Sequence, residues 1–113
     1  MKILDFSNKI SKDTVITNLN SYIDTIDKAL EIRNRTEAYS ILEDIRSALR
    51  NEITAYKNIK EHANNSNLFN NYFNSLDSAL RKSSSYNSRS MDNLKKNLRE
   101  VRFELDYCKN TIK

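Results

Sequence analysis

The side chains able to do chemistry are few, and their spacing limits what that chemistry is. Asp24, Asp27 and Glu31 stand one helical turn apart, and so do Glu100 and Glu104. A dinuclear metal site in a helical bundle needs a Glu from each of two helices and a Glu-x-x-His from each of the other two. His62 is the single histidine, so that site is excluded and the acids read as solvated charges on polar faces. His62 itself falls near the end of a helical segment, where an imidazolium complements the helix dipole. Cys108 is the single cysteine. One thiol makes neither an intramolecular disulfide nor a thiolate metal site, and its place on an apolar stripe suits a small buried side chain. No acid–base pair, activated nucleophile or ligand set is present. The sequence therefore predicts no enzyme, no catalytic residue, no metal and no cofactor.

What remains is binding chemistry. Lys95, Arg99, Arg102, Lys109 and Lys113 fall at spacings of 4, 3, 7 and 4, and Arg46, Arg50, Lys57 and Lys60 are compatible with one face of another helix. Such lines can track phosphates, with Tyr86 or Tyr107 stacking on a base. Arg46, Arg50, Lys57, Lys95 and Lys109 are the candidate phosphate contacts of that nucleic-acid reading. The competing reading is an ordinary solvated face with intrahelical pairs, Lys96–Glu100 and Arg102–Asp106. Phe103 and Tyr107 are the sharper anomaly. They are four residues apart and point away from the apolar seam of their own helix. Flanked by Lys96, Arg99 and Arg102, they have the composition of an interface centre and are the candidate partner-binding residues. The N-terminal arm, with Ile3, Leu4, Phe6 and Ile10, is an equally good cover for them, and homo-oligomerisation satisfies both readings.

Four amphipathic helices must position these residues. Ile16, Leu19, Ile23, Ile26 and Leu30 make a 3, 4, 3, 4 stripe over residues 12–33, widened by Val15, Tyr22 and Ala29. Residues 35–63 carry Ala38, Ile41, Leu42, Ile45, Leu49, Ile53, Tyr56, Ile59 and Ala63, and begin at Asn34 with Glu37 three residues on, a capping-box spacing. Asn64-Asn65-Ser66-Asn67 ends this segment, Asn being suited to a left-handed cap, and a short aromatic segment, 67–82, follows. After the loop Ser83–Ser90, residues 90–113 run Met91, Leu94, Leu98, Val101, Leu105, Cys108 and Ile112 without a break, with Ser90 as N-cap. At 1.5 Å per residue these span roughly 33, 43, 24 and 35 Å, so the serine loop or the arm 1–11 must shield what the third leaves open. The expected fold is all-α: a single-domain antiparallel four-helix bundle with a short third helix.

Composition supports this. The 113 residues contain neither glycine nor proline, where average usage predicts roughly eight and six. Glycine-rich phosphate loops, the Gly-x-Ser-x-Gly nucleophile elbow and most tight hairpins are thereby excluded. Residues 1–80 hold ten Lys/Arg against eleven Asp/Glu, and residues 81–113 hold nine against four, so the net charge of +4 comes from the C-terminal third. An electrostatic partner is expected there. No apolar run is long enough to insert in a membrane, and the start Met1-Lys2-Ile3-Leu4-Asp5-Phe6 lacks a signal-peptide core, which predicts a cytoplasmic protein.

In size, basicity and four-helix outline the chain resembles the bacteriocin immunity proteins of low-GC bacteria and the small helical inhibitors of phage and mobile elements, anti-CRISPR proteins included. That resemblance implies an inhibitor or immunity role and carries no site residue. The Arg-x4–6-His motif of the all-helical HEPN ribonucleases is absent, since Arg50, the nearest upstream arginine, is twelve residues from His62. The expected function is a non-catalytic module that binds another protein, with small basic nucleic-acid binding as the alternative.

Overall fold

Asn34 and Ser90 set where two of the helices begin. The Asn34 Oδ1 accepts from the Glu37 amide at 3.0 Å, and the extended Ser90 accepts from the Asn93 amide at 3.1 Å. Each satisfies an orphan N–H of a first turn. The computed structural model describes residues 12–62 and 67–112, with the side chains of 58–62 excepted. Within them the order is α1 (Lys12–Glu31), α2 (Arg35–His62), α3 (Asn67–Lys82) and α4 (Met91–Thr111). No strand occurs among the described residues, and no helix there is long and apolar enough to cross a membrane. The expected arm 1–11, Ala63, the stop at Asn64-Asn65-Ser66, Lys113 and the side chains of Ile59, Lys60 and His62 lie outside what is described.

The helices close a four-membered bundle in which α4 packs against α3 and α1, and α2 packs against those same two. Its longest dimension is 43 Å, the length of α2 at about 1.5 Å per residue. Contacts join the start of one helix to the end of the next: Asn18 of α1 meets Glu52 of α2, and Cys108 of α4 reaches the Asn71 carbonyl of α3. Val15, Leu19, Tyr22, Ile26 and Ala29 from α1 are fully buried, as are Leu42, Ile45, Leu49 and Tyr56 from α2, Tyr72, Leu76 and Ala79 from α3, and Leu94, Leu98, Val101 and Leu105 from α4.

One expectation needs adjusting. The centre of the α1 face is the Val15–Leu19–Tyr22–Ile26–Ala29 line, while Ile16 and Leu30 are half-buried. The reason is polar: Asn18 and Tyr22 must turn inward to reach Glu52 (below), and the helix rotates with them. None of the described residues has a positive φ. After α3 the chain tightens instead, with Ser84 and Ser85 bonding back to the Arg81 and Lys82 carbonyls and the Ser83 hydroxyl donating to Leu80 O. These i→i+3 bonds satisfy the last carbonyls without glycine.

The serine loop takes the space beside α2 that the 16-residue α3 leaves open. Ser83 is fully buried. Arg46, also buried, donates to Glu43, to the Ser83 carbonyl at 2.5 Å and to its hydroxyl at 3.3 Å. Asn97 on α4 holds both the amide and the carbonyl of Tyr86 at 2.9 Å, and Arg35 donates to the carbonyls of Arg89 and Ser88 at 2.7 and 2.9 Å.

Candidate functional site

Position on α4 decides which side chains are free to meet a partner. The buried line Leu94–Leu98–Val101–Leu105–Cys108 faces the core, so residues about half a turn away must face out. Phe103 is 68% exposed and Tyr107 62%, against zero for the neighbouring Leu105. Nothing among the described residues covers them. Around them run two hollows along the α3–α4 seam. One, of about 350 Å³, is lined by Lys82, Arg99, Glu100, Phe103 and Glu104. The other, of about 370 Å³, is lined by Asn74, Ser75, Ser78, Glu104, Tyr107 and Thr111 among others. Glu104 borders both, which sets the two hollows side by side along one groove, with Phe103 on one and Tyr107 on the other. Glu100 contributes a buried carboxylate oxygen that has no hydrogen-bond partner among the described residues.

Of the five residues expected to bind a partner, Phe103, Tyr107 and Arg99 share this groove. Arg102 does not. It turns to the other side of α4 and donates to Asp27 of α1 at 2.6 Å, a bond that raises the guanidinium pKa further. Its hydrogen bonds and ion pair go to Asp27 and not to Asp106, the expected intrahelical partner. Lys96 lies 5.4 Å from the centre of the Tyr86 ring, over the serine loop. Lys82, whose spacing from α4 is invisible in the sequence, joins the groove instead.

The candidate phosphate contacts are dispersed. Arg46 is 8% exposed and its guanidinium is taken up by Glu43 and Ser83. Arg50 and Lys57 are exposed on α2, while Lys95 and Lys109 are half-buried on α4, the helix diagonal to α2 in the bundle. Cys108 is buried, and burial pushes its thiol up, which disfavours the thiolate a nucleophile needs. Among the carboxylates, Asp27 pairs with Arg102, Asp24 and Glu31 are exposed, and Glu100 and Glu104 line the groove. No three His, Cys, Asp or Glu side chains among the described residues converge as metal ligands would.

The largest polar feature escapes a reading that starts from exposed groups. Glu52 is 2% exposed at the middle of the bundle. Asn18 donates to its two oxygens at 3.0 and 3.1 Å, Tyr56 and Tyr72 donate at 3.0 and 2.7 Å, and Tyr22 donates as well. Asn18 donates to the Tyr72 hydroxyl too. An ionised carboxylate, which only accepts, satisfies every one of these donors. Burial, followed by the Glu52 charge, pushes the Tyr22 and Tyr72 phenols well above their ordinary value, keeping them as donors. The sequence does carry a signal for it. The buried residues of α2 include Leu42, Ile45, Arg46, Leu49, Glu52 and Tyr56, and Glu52 is the one acid among them.

The cluster joins three helices around one acceptor and ties them together. Among the described residues no lysine or arginine pairs with Glu52. Compared with known proteins, the chain matches no family model, no curated protein and no solved structure.

Proposed function

We propose that this chain is a non-catalytic protein-binding module, of inhibitor, immunity or adaptor type, that docks its partner on the groove crested by Phe103 and Tyr107. The observation that carries the reading is the exposure of two large aromatic side chains, 68% and 62%, side by side on one helix face. Leaving such rings in water forgoes about 1.5–3 kcal/mol of burial for a Phe-sized side chain. Aromatic centres with a charged rim are where interfaces concentrate their binding energy. Lys82 and Arg99 supply cations to the rim. The nucleic-acid alternative draws on fewer free cations, because Arg46 and Arg102 are engaged within the fold.

Affinity capture from the native host, with a nuclease-treated arm and a salt series, tests this reading. A discrete protein retained through nuclease and high salt is the expected result. Loss of the retained material on nuclease treatment, with affinity falling log-linearly in salt, replaces the reading with phosphate binding.

A further inference from the structure

The four exposed large hydrophobics of the described chain fall into two pairs, and the second pair has a site of its own. Tyr39 and Tyr86 border an open pocket of about 320 Å³ between the start of α2 and the serine loop, lined also by Arg35, Arg46, Ser88 and Arg89. No carboxylate of the described residues lines it. Glu43 neutralises Arg46, but neither Arg35 nor Arg89 has a carboxylate partner among the described residues. The pocket therefore presents two uncompensated guanidinium groups. Two helices also begin beside it, α2 at Arg35 and α4 at Met91, and helix starts carry partial positive charge.

The walls are held in advance of any ligand. Asn97 grips Tyr86 at both backbone groups and donates to the Ser88 hydroxyl at 2.8 Å, while Arg35 ties down the carbonyls of Ser88 and Arg89. Arg35 lies 5.5 Å from the centre of the Tyr39 ring, so guanidinium and ring are already arranged together. Ordering such a loop beforehand removes part of the cost of binding.

We infer that this pocket binds a small phosphate monoester carrying a planar ring, with the phosphate on Arg35 and Arg89 and the ring on the rim made by Tyr39 and Tyr86. A phosphate monoester carries a charge of about −1.5 to −2 at neutral pH, matching two guanidinium charges that no carboxylate of the described residues neutralises; Arg89 offers its planar fork, and Arg35 the N–H groups not given to the Ser88 and Arg89 carbonyls. The pocket volume lies at the lower end of the range for small-ligand sites, about 300–1,000 Å³.

Amide and arginine side-chain NMR shifts, followed during separate titrations with AMP, phenyl phosphate, inorganic phosphate and adenosine, test the inference. AMP and phenyl phosphate are expected to move Arg35 and residues 86–89 at millimolar concentration, inorganic phosphate to bind more weakly, and adenosine to leave them unmoved. The stronger of the first two identifies the source, a nucleotide or an aryl phosphate. Arg89→Ala removes a side chain with no hydrogen bond in the described fold, and should weaken AMP about tenfold or more. Tyr86→Leu should weaken AMP while leaving inorganic phosphate unchanged. The inference is overturned if AMP and phenyl phosphate move nothing, if adenosine binds as well as AMP, if inorganic phosphate binds as well as both, or if Arg89→Ala leaves AMP affinity intact in a folded protein.

Discussion

Replacing Glu52 with leucine is the sharpest probe of what holds the bundle together. The substitution leaves four groups facing an apolar side chain: the hydroxyls of Tyr22, Tyr56 and Tyr72 and the amide of Asn18. An orphaned buried donor costs about 1–3 kcal/mol, and partial relaxation brings the sum to about 3–5 kcal/mol, the range seen when a buried charged partner is removed. Total stability for a chain of this size is about 6–17 kcal/mol, so the loss is a large part of it. Urea denaturation followed by far-UV circular dichroism reads it directly. With a slope of about 1–3 kcal/mol/M, the midpoint should fall by more than about 1 M. Adding Asn18→Leu, Tyr22→Phe, Tyr56→Phe and Tyr72→Phe to Glu52→Leu removes donors and acceptor together, and should recover much of the loss because no polar group is then left unpaired. A cost below about 1 kcal/mol for Glu52→Leu alone refutes the reasoning, since it means the donors find other partners without strain.

The phenols and the surface ion pair give two further expected outcomes. Tyr22 and Tyr72 stay neutral in the fold at pH values where an unfolded chain ionises them, the ordinary phenol value being 10.0. Their stabilisation is complete below that value, and above it stability should fall by about 1.4 kcal/mol per pH unit for each phenol. The part of the tyrosinate absorbance removed by Tyr22→Phe should accordingly appear only as helicity is lost, and its appearance in folded protein contradicts the assignment. The Asp27–Arg102 pair is 38–48% exposed at its side chains, so a double-mutant cycle with alanine should give a coupling of about 1 kcal/mol or less that shrinks with salt.

Features decided locally can be read from the sequence, and those decided by packing cannot. Asn34 and Ser90 cap the helices they are expected to cap, because capping is settled within three or four residues. Phe103 and Tyr107 face outward as their spacing from Leu98, Val101 and Leu105 requires. Pairings across helices are a different matter. Arg102 has Asp106 one turn away in sequence, yet its hydrogen bond goes to Asp27, 75 residues distant, which packing brings closer in the required geometry. The rotation of α1 is hidden for the same reason: two apolar lines compete on that helix, and only the need of Asn18 and Tyr22 to reach Glu52 chooses between them. Glu52 stands one turn from Leu49 and Tyr56 on the apolar side of α2, a local sign of a buried acid, but its partners come from three helices and appear together only in the fold.

Whether the outer face of α4 is a partner surface is decided by comparing the wild type with a Phe103→Ala/Tyr107→Ala double variant. Both are melted, and both are used as bait in the same extract after nuclease treatment. A partner surface predicts stabilities within about 1 kcal/mol of each other, as for surface substitutions, and a discrete protein held by the wild type but not by the variant. A loss of more than about 2 kcal/mol of stability would make the pair part of the core, and an unchanged set of captured proteins would leave the face without a partner; either result contradicts the proposed docking on Phe103 and Tyr107.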